Sequence, residues 1–303
     1  MTCHPQDVRV PREIAAVWAL AAASLLAVLV TYARLPASEL YSVSGSGLRG
    51  GLSRAVVELD FPDALVALAV LAAVGGRLRR RARALAVVAS ALCVVFAVPG
   101  VVRQSDLDAK WINVVPALGV ALAFALSLLA RRPQSSGRVR GDRLRVALAA
   151  VLVLLASPWI AAELGFYLDG VPVLGRLFQT GKIVSFHNAP HVAVHLGVHH
   201  GLQGLLLALT ALLLSRLQAG RATGAFLALV LAYGVGNMAN DAWLEQVAER
   251  GWSSHALPSV LGFSPNWLWL AVLVAAALVW ALWFRQPRRT TPSAASADMS
   301  ASE

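Results

Sequence analysis

Lysine is nearly absent from this chain, and charge of either sign is scarce. Only Lys110 and Lys182 interrupt an otherwise all-arginine set of 26 basic residues, and Asp, Glu, Lys and Arg together make up 14% of 303 residues. A soluble domain carries roughly 25% charged residues, so this chain has little with which to clothe a water-facing surface. Both lysines fall in connections between apolar runs, which argues against a retinal-type Schiff base inside the protein. Cysteine is scarce too. Cys3 precedes the first apolar run and Cys93 lies inside the third, so the two are expected in different environments and no disulfide is expected.

What the chain does have is apolar length: 58% of it is hydrophobic. Ile14–Ala33, Leu85–Val102, Ile112–Ala130, Leu144–Ala162, Gly201–Ser215, Thr223–Asn237 and Asn266–Phe284 are almost free of charge, and Phe61–Gly76 is a shorter run containing Asp63. Several reach the ~20 residues needed to cross a hydrocarbon core of about 30 Å. Backbone polar groups in lipid must be paired internally, so the runs are expected to be helices. The fold class expected is all-α, a polytopic membrane bundle of about eight helices.

A formal charge of +10 invites a nucleic-acid reading, but its distribution opposes one. Arginines cluster between apolar runs, at Arg77, Arg79–Arg81 and Arg83 and again at Arg131, Arg132, Arg138, Arg140, Arg143 and Arg145. Basic clusters beside spans mark cytoplasmic loops. No basic stretch is interleaved with stacking aromatics, so no nucleic-acid partner is expected. With a cytoplasmic N-terminus and eight spans, segments 1–13, 77–83, 131–145, 216–222 and 285–303 fall inside and carry 18 Lys/Arg against 5 Asp/Glu. The rest of the chain carries 8 against 11. An odd number of spans would put at least one major cluster outside. The expected organisation is a cytoplasmic segment 1–13, a transmembrane domain 14–285 and a disordered cytoplasmic tail 286–303, in the plasma membrane. The first run follows Arg9 and Arg12 but exceeds the 7–15 residues of a usual signal-peptide core, so an uncleaved anchor is expected. Trp111, Trp159, Trp243 and Trp267 on the outside and Trp18 and Trp283 on the inside fit an interfacial belt.

Gly45-Ser-Gly47-Leu-Arg-Gly50 matches G-x-G-x-x-G, but no strand precedes it and its loop faces outward, so a flexible loop is the expectation. Asp63, entering an apolar run, calls for a partner such as Arg54.

The segment from His187 to Gln203 reads HNAPHVAVHLGVHHGLQ, holding five of the chain's seven histidines. Pro190 suits a first helical turn with Asn188 as cap, which predicts a helix from there to Ser215. On such a helix His191, His195 and His199, four apart, share one face, whereas His200 points elsewhere and His187 precedes it. The next run carries a matching series, Asn237, Asp241 and Glu245, and the short turn Arg216–Ala222 makes the two helices antiparallel neighbours. At 1.5 Å per residue, His200 and His195 lie about 24 and 31 Å from Arg216, and Asn237 and Asp241 about 24 and 30 Å from Arg221. Glu163, about 27 Å from Arg145, reaches the same level.

Such groups are costly in a membrane and mark ion paths, proton relays or bound metals. Imidazole with carboxylate suits zinc, iron, manganese or copper. His191, His195, His199 and Asp241 are therefore the expected ligands of a divalent transition metal near the outer surface, with Glu163 or Glu245 as general base. The first functional expectation is a metal-dependent enzyme acting on a lipid-borne substrate at the outer leaflet, using a metal-activated water or a di-metal centre. The second is a transporter or metal-handling protein, which requires polar groups continuing inward; Gln203, Thr210 and Tyr233 supply few, which favours a dead-end outer site. The third is a structural or assembly protein with a solvated histidine patch.

His191-x-x-x-His195 and His195-x-x-x-His199-His200 look like the histidine boxes of membrane fatty acid hydroxylases and desaturases, a resemblance that implies a lipid-directed di-iron oxygenase. It covers residues 191–200 alone. That family separates its boxes along the chain, faces them to the cytoplasm and uses more histidines than this sequence holds, so its roles are not carried over.

Overall fold

The computed structural model describes residues 10–34, 45–98, 100–102, 108–130, 139–164, 179–186, 189–194, 201–248, 251–255, 257–260 and 265–285. Each of the eight apolar runs contains a helix. In chain order the helices are α1 (Arg12–Arg34), α2 (Gly47–Glu58), α3 (Asp63–Val74), α4 (Arg80–Val94), α5 (Val114–Leu128), α6 (Asp142–Glu163), α7 (Gly201–Leu214), α8 (Arg221–Trp243) and α9 (Trp267–Val279). Four helical stretches are long and apolar enough to cross a membrane: Arg12–Arg34, Trp111–Leu128, Arg221–Trp243 and Trp267–Phe284. Gly201–Leu217 is apolar but shorter.

Polar contacts gather helix ends at one end of the bundle, the basic one. Arg216, just past α7, pairs with Glu13 of α1 at 3.0 Å and with Asp142 of α6 at 3.1 Å. Arg77, after α3, donates to the Leu217 carbonyl at 2.9 Å, and Thr223 of α8 donates to the Ala72 carbonyl at 3.1 Å. Trp18 of α1 donates to Ser127 of α5 at 3.0 Å, and Trp280 donates to the Arg221 carbonyl at 3.2 Å. Helices α1, α6 and α8 therefore leave this end, and α3, α5, α7 and α9 return to it.

The centre belongs to α3, α7 and α8. In α3 the side chains of Ala64, Val66, Ala67, Ala69 and Val70 are wholly buried, the pattern of a helix apolar on every side and enclosed by others. α7 and α8 cross at backbone contact: a Cβ on Gly204 would come within 2.5 Å of the Gly234 carbonyl oxygen, and one on Gly234 within 2.6 Å of the Gly204 oxygen. The surrounding helices turn apolar side chains outward, among them Leu26, Val87, Leu154, Leu270 and Leu282. That is the surface a hydrocarbon solvent requires and water penalises.

Local structure departs from the sequence expectation in four places. Gly47 to Glu58, expected as loop, is the helix α2, and its glycines let it lie against α1, since a Cβ on Gly51 would come within 2.4 Å of the Leu29 carbonyl oxygen. Ala189–Val194 is not the start of a long helix. It is strand β2, antiparallel to β1 (Gln179–Phe186), with His191 opposite Val184 and Pro190 opposite Ser185. The β-branched and aromatic content of both segments favours extended backbone, and a two-stranded ribbon leaves an edge on which Pro190 is tolerated. Trp159 is buried and its indole lies over Gly201, so it packs helices together and does not sit in a belt. Leu244–Ala248 is a π-helical turn, so the four-residue spacing of Asn237 and Asp241 does not carry on to Glu245.

Candidate functional site

The bundle interior concentrates its charge where α2 ends and α3 begins. Pro62 lacks an N–H and clashes with a preceding helical turn, so the chain breaks over Leu59–Pro62 before α3 starts at Asp63. The break forms an elbow carrying three acids, Glu58, Asp60 and Asp63, each no more than 2% exposed. Arg54, one turn before Glu58 in α2 and equally buried, holds the Glu58 carboxylate at 2.9 Å and lies over the Tyr32 ring of α1 at 5.7 Å. Gln203 of α7 donates its amide to both oxygens of Glu58, at 3.1 and 3.3 Å. Asn113, at the start of α5, donates to Asp60 and accepts the backbone N–H of Lys110. Phe61 meets the Tyr233 ring of α8 edge-on at 6.0 Å, and Tyr233 stacks on Trp269 of α9. Side chains from α1, α5, α7 and α8 thus close around the elbow.

Counting from the basic end gives its level. Asp63 is about 21 Å from Arg77 along α3, Gln203 about 20 Å from Arg216 along α7, and Tyr233 about 18 Å from Arg221 along α8, at 1.5 Å per residue. A pocket of about 140 Å³ lies on the far side, lined by Gly100–Val102, Asp108, Lys110, Ile112 and Asn113. Asn113 joins this pocket to Asp60.

α8 adds a second buried polar row. Asn237 is 1% exposed and Asp241 3%. Neither the nitrogen nor the oxygen of the Asn237 amide has a hydrogen-bond partner among the described residues, and the same holds for one oxygen each of Asp60 and Asp63. Asn237 lies one turn beyond Tyr233, and its direction falls between that of Tyr233, which meets the elbow, and that of Gly234, which meets α7.

The residues singled out from the sequence fall as follows. Asp241 is a buried α8 residue, and α8 packs against α7 as the short connection predicts. His191 is on β2. His195 and His199, with His187 and His200, lie outside the described residues. Glu163 ends α6 and Glu245 lies in the π-helical turn; the side chains of both, and of His191, lie outside the described set. Among the described residues no group of three or more His, Cys, Asp or Glu side chains is arranged to hold a metal ion. Arg54 pairs with Glu58.

Sequence reasoning put the acids Glu58, Asp60 and Asp63 at the start of the second span but did not gather them into a site. The usable signal was Arg54 and Glu58, four apart and directly ahead of Phe61-Pro62 and an apolar run, with Asp63 already in need of explanation. No known protein family, curated protein or solved structure matches this chain.

Proposed function

We propose that the chain is an eight-pass integral membrane protein of the plasma membrane, both termini cytoplasmic, that takes a divalent transition metal at its outer face and passes it inward. In this reading α2 and α3 together make the second pass. The described arginines of both clusters lie at the end where α3, α5, α7 and α9 arrive, which suits a cytoplasmic face. The observation that carries the functional reading is the elbow: Arg54, Glu58, Asp60 and Asp63, all but fully buried about two-thirds of the way across a ~30 Å core. Ionisable groups at such depth line substrate and ion pathways by default. Interrupted helices near the midplane are where transporters place their binding sites.

The metal site itself comprises His191, His195, His199 and Asp241. The histidine segment runs directly into Gly201 and Gln203, and Gln203 holds Glu58. Polar groups thus continue inward from the histidines, as transport requires. Asp241 supports a second reading, since it is buried about 30 Å from Arg221, near the level of the outer lipid headgroups. There the same ligands would serve a metal-dependent enzyme acting on a lipid-borne substrate, with Glu163 or Glu245 as base.

Elemental analysis of protein purified without a polyhistidine tag tests the site. Stoichiometric zinc, iron, manganese or copper is expected in the wild type and lost from His195→Ala and Asp241→Asn; metal retained in both overturns it. Metal uptake into proteoliposomes separates the readings, since a protein that binds metal but passes none is the enzyme.

A further inference from the structure

We propose that the α2–α3 elbow binds a single monovalent cation, sodium or a proton, at Asp63, with the amide oxygen of Asn237 as its neutral partner. This deepens the transport reading and rests on it for the direction of movement, whereas the binding stands on the elbow alone.

The charge count is the first argument. Three carboxyl groups meet at the elbow, and among the described residues Arg54 is the cation whose charge acts on two of them, Glu58 and Asp60. Arg54 is committed to Glu58 at 2.9 Å. Glu58 and Asp63 are close enough to repel. The end of α2 brings the negative pole of a helix to the elbow and the start of α3 a positive one at Asp63, so the two poles oppose each other and the carboxyl groups set the balance. Unbalanced negative charge in a buried site costs several kcal/mol per ion unless something positive joins it.

Asn237 is the second, independent argument. An amide that is 1% exposed, with no partner for either polar atom among the described residues, bears a desolvation cost that nothing described here offsets. By helical spacing from Tyr233 and Gly234 it faces between the elbow and α7, where an amide oxygen can accept from a protonated carboxyl or coordinate a small cation. Oxygen atoms alone, from carboxylate and amide, select a hard ion over a soft one. Among the described residues the elbow has no group of three or more His, Cys, Asp or Glu side chains arranged to hold a metal ion. Unwound backbone at a helix interruption, beside the carboxyl end of a half-helix, is where membrane proteins bind sodium or protons.

The pocket lined by Lys110 and Asn113 gives the route, because Asn113 reaches from it to Asp60. The ion therefore arrives from the face opposite the arginine clusters. Among the described residues the charged and titratable groups at the elbow are Arg54 and Glu58 from α2, Asp60 from the turn and Tyr233 from α8, and the neutral Asn113 and Gln203 reach it from the start of α5 and from α7.

Thermal unfolding of the full chain in lipid nanodiscs tests the site. One arm titrates sodium chloride against choline chloride at fixed pH and ionic strength, and the other acidifies in choline chloride across the neutral range. A ligand that binds only the folded form raises Tm with its concentration. Sodium-dependent stabilisation that disappears in Asp63→Asn identifies sodium. Indifference to sodium, with stabilisation on acidification that disappears in Asp63→Asn, identifies the proton. A wild type that responds to neither, or an Asp63→Asn protein that keeps the full response, overturns the proposal. Should Asp63→Asn fail to fold, Asn237→Ala carries the same readings, with at least about tenfold weaker apparent affinity expected. Loss of metal flux with this response intact would remove the transport reading and leave the elbow site standing.

Discussion

Arg54 and Glu58 show how a residue pair can be indispensable without being a net source of stability. Taking both charges out of water costs about as much as their attraction returns, but removing one leaves the other buried and uncompensated. Arg54→Met is therefore expected to destabilise the protein by about 3–5 kcal/mol. Glu58→Gln alone leaves a guanidinium facing an amide, and the double substitution is expected to recover much of the loss. Denaturant unfolding of the three variants in mixed micelles checks this. Simple additivity of the single effects would mean that the pair is not coupled. Asp63 was legible at this scale, because one acid in an apolar run stands out. Glu58 and Asp60 were not, because the groups that meet them, Gln203 and Asn113, come from distant parts of the chain.

At the scale of elements, legibility tracked how far a single physical requirement governed the segment. A run of ~20 apolar residues has one stable solution in lipid, and α1, α5, α6, α8 and α9 follow it closely. α2 answers to two requirements. Glycine is a poor helix former, yet Gly51 permits contact with the α1 backbone, and only the tertiary partner reveals which effect wins. The histidine segment fails for the opposite reason. Helical spacing of His191, His195 and His199 competes with the β-branched content of Val192 and Val194, and β2 shows the extended backbone winning up to Val194. Where element ends meet, charge does the joining. Asp142 sits between Arg216 and Arg145 at the start of α6. Burial works to raise its pKa, but the Val139 N–H and the two guanidiniums outweigh burial and hold the carboxyl below its ordinary value. A depressed folded-state pKa contributes stability that is present above the unfolded value of about 3.9 and lost as pH falls through the folded value. Asp142→Asn is accordingly expected to cost on the order of 1 kcal/mol at neutral pH, the pair being partly exposed, and nothing once the wild-type carboxyl is protonated. Unfolding free energies of the two proteins that converge in acid would bear this out; a constant difference across pH would not.

For the whole molecule, direction in the membrane decides whether the elbow and the histidines can serve an outer site at all. Arg77, Arg145 and Arg216 and their contacts lie at one end, whereas the Asn113 pocket and the end of α8 lie at the other. Lys and Arg flanking short loops set orientation more strongly than acids do, so the Arg216 end is expected in the cytoplasm. Arg140, exposed beside α6, and Trp252, exposed beyond α8, mark the two ends. In a background with Cys3→Ser and Cys93→Ala, a cysteine at Trp252 should react with a membrane-impermeant maleimide on intact cells. One at Arg140 should react only after permeabilisation. The reverse pattern would put the elbow's pocket on the cytoplasmic side, and the ion would then have to enter from within. Reaction of both from outside would mean that the helices between them do not separate two compartments. In that case the apolar surface of α4, α6 and α9 would need a protein partner in place of lipid.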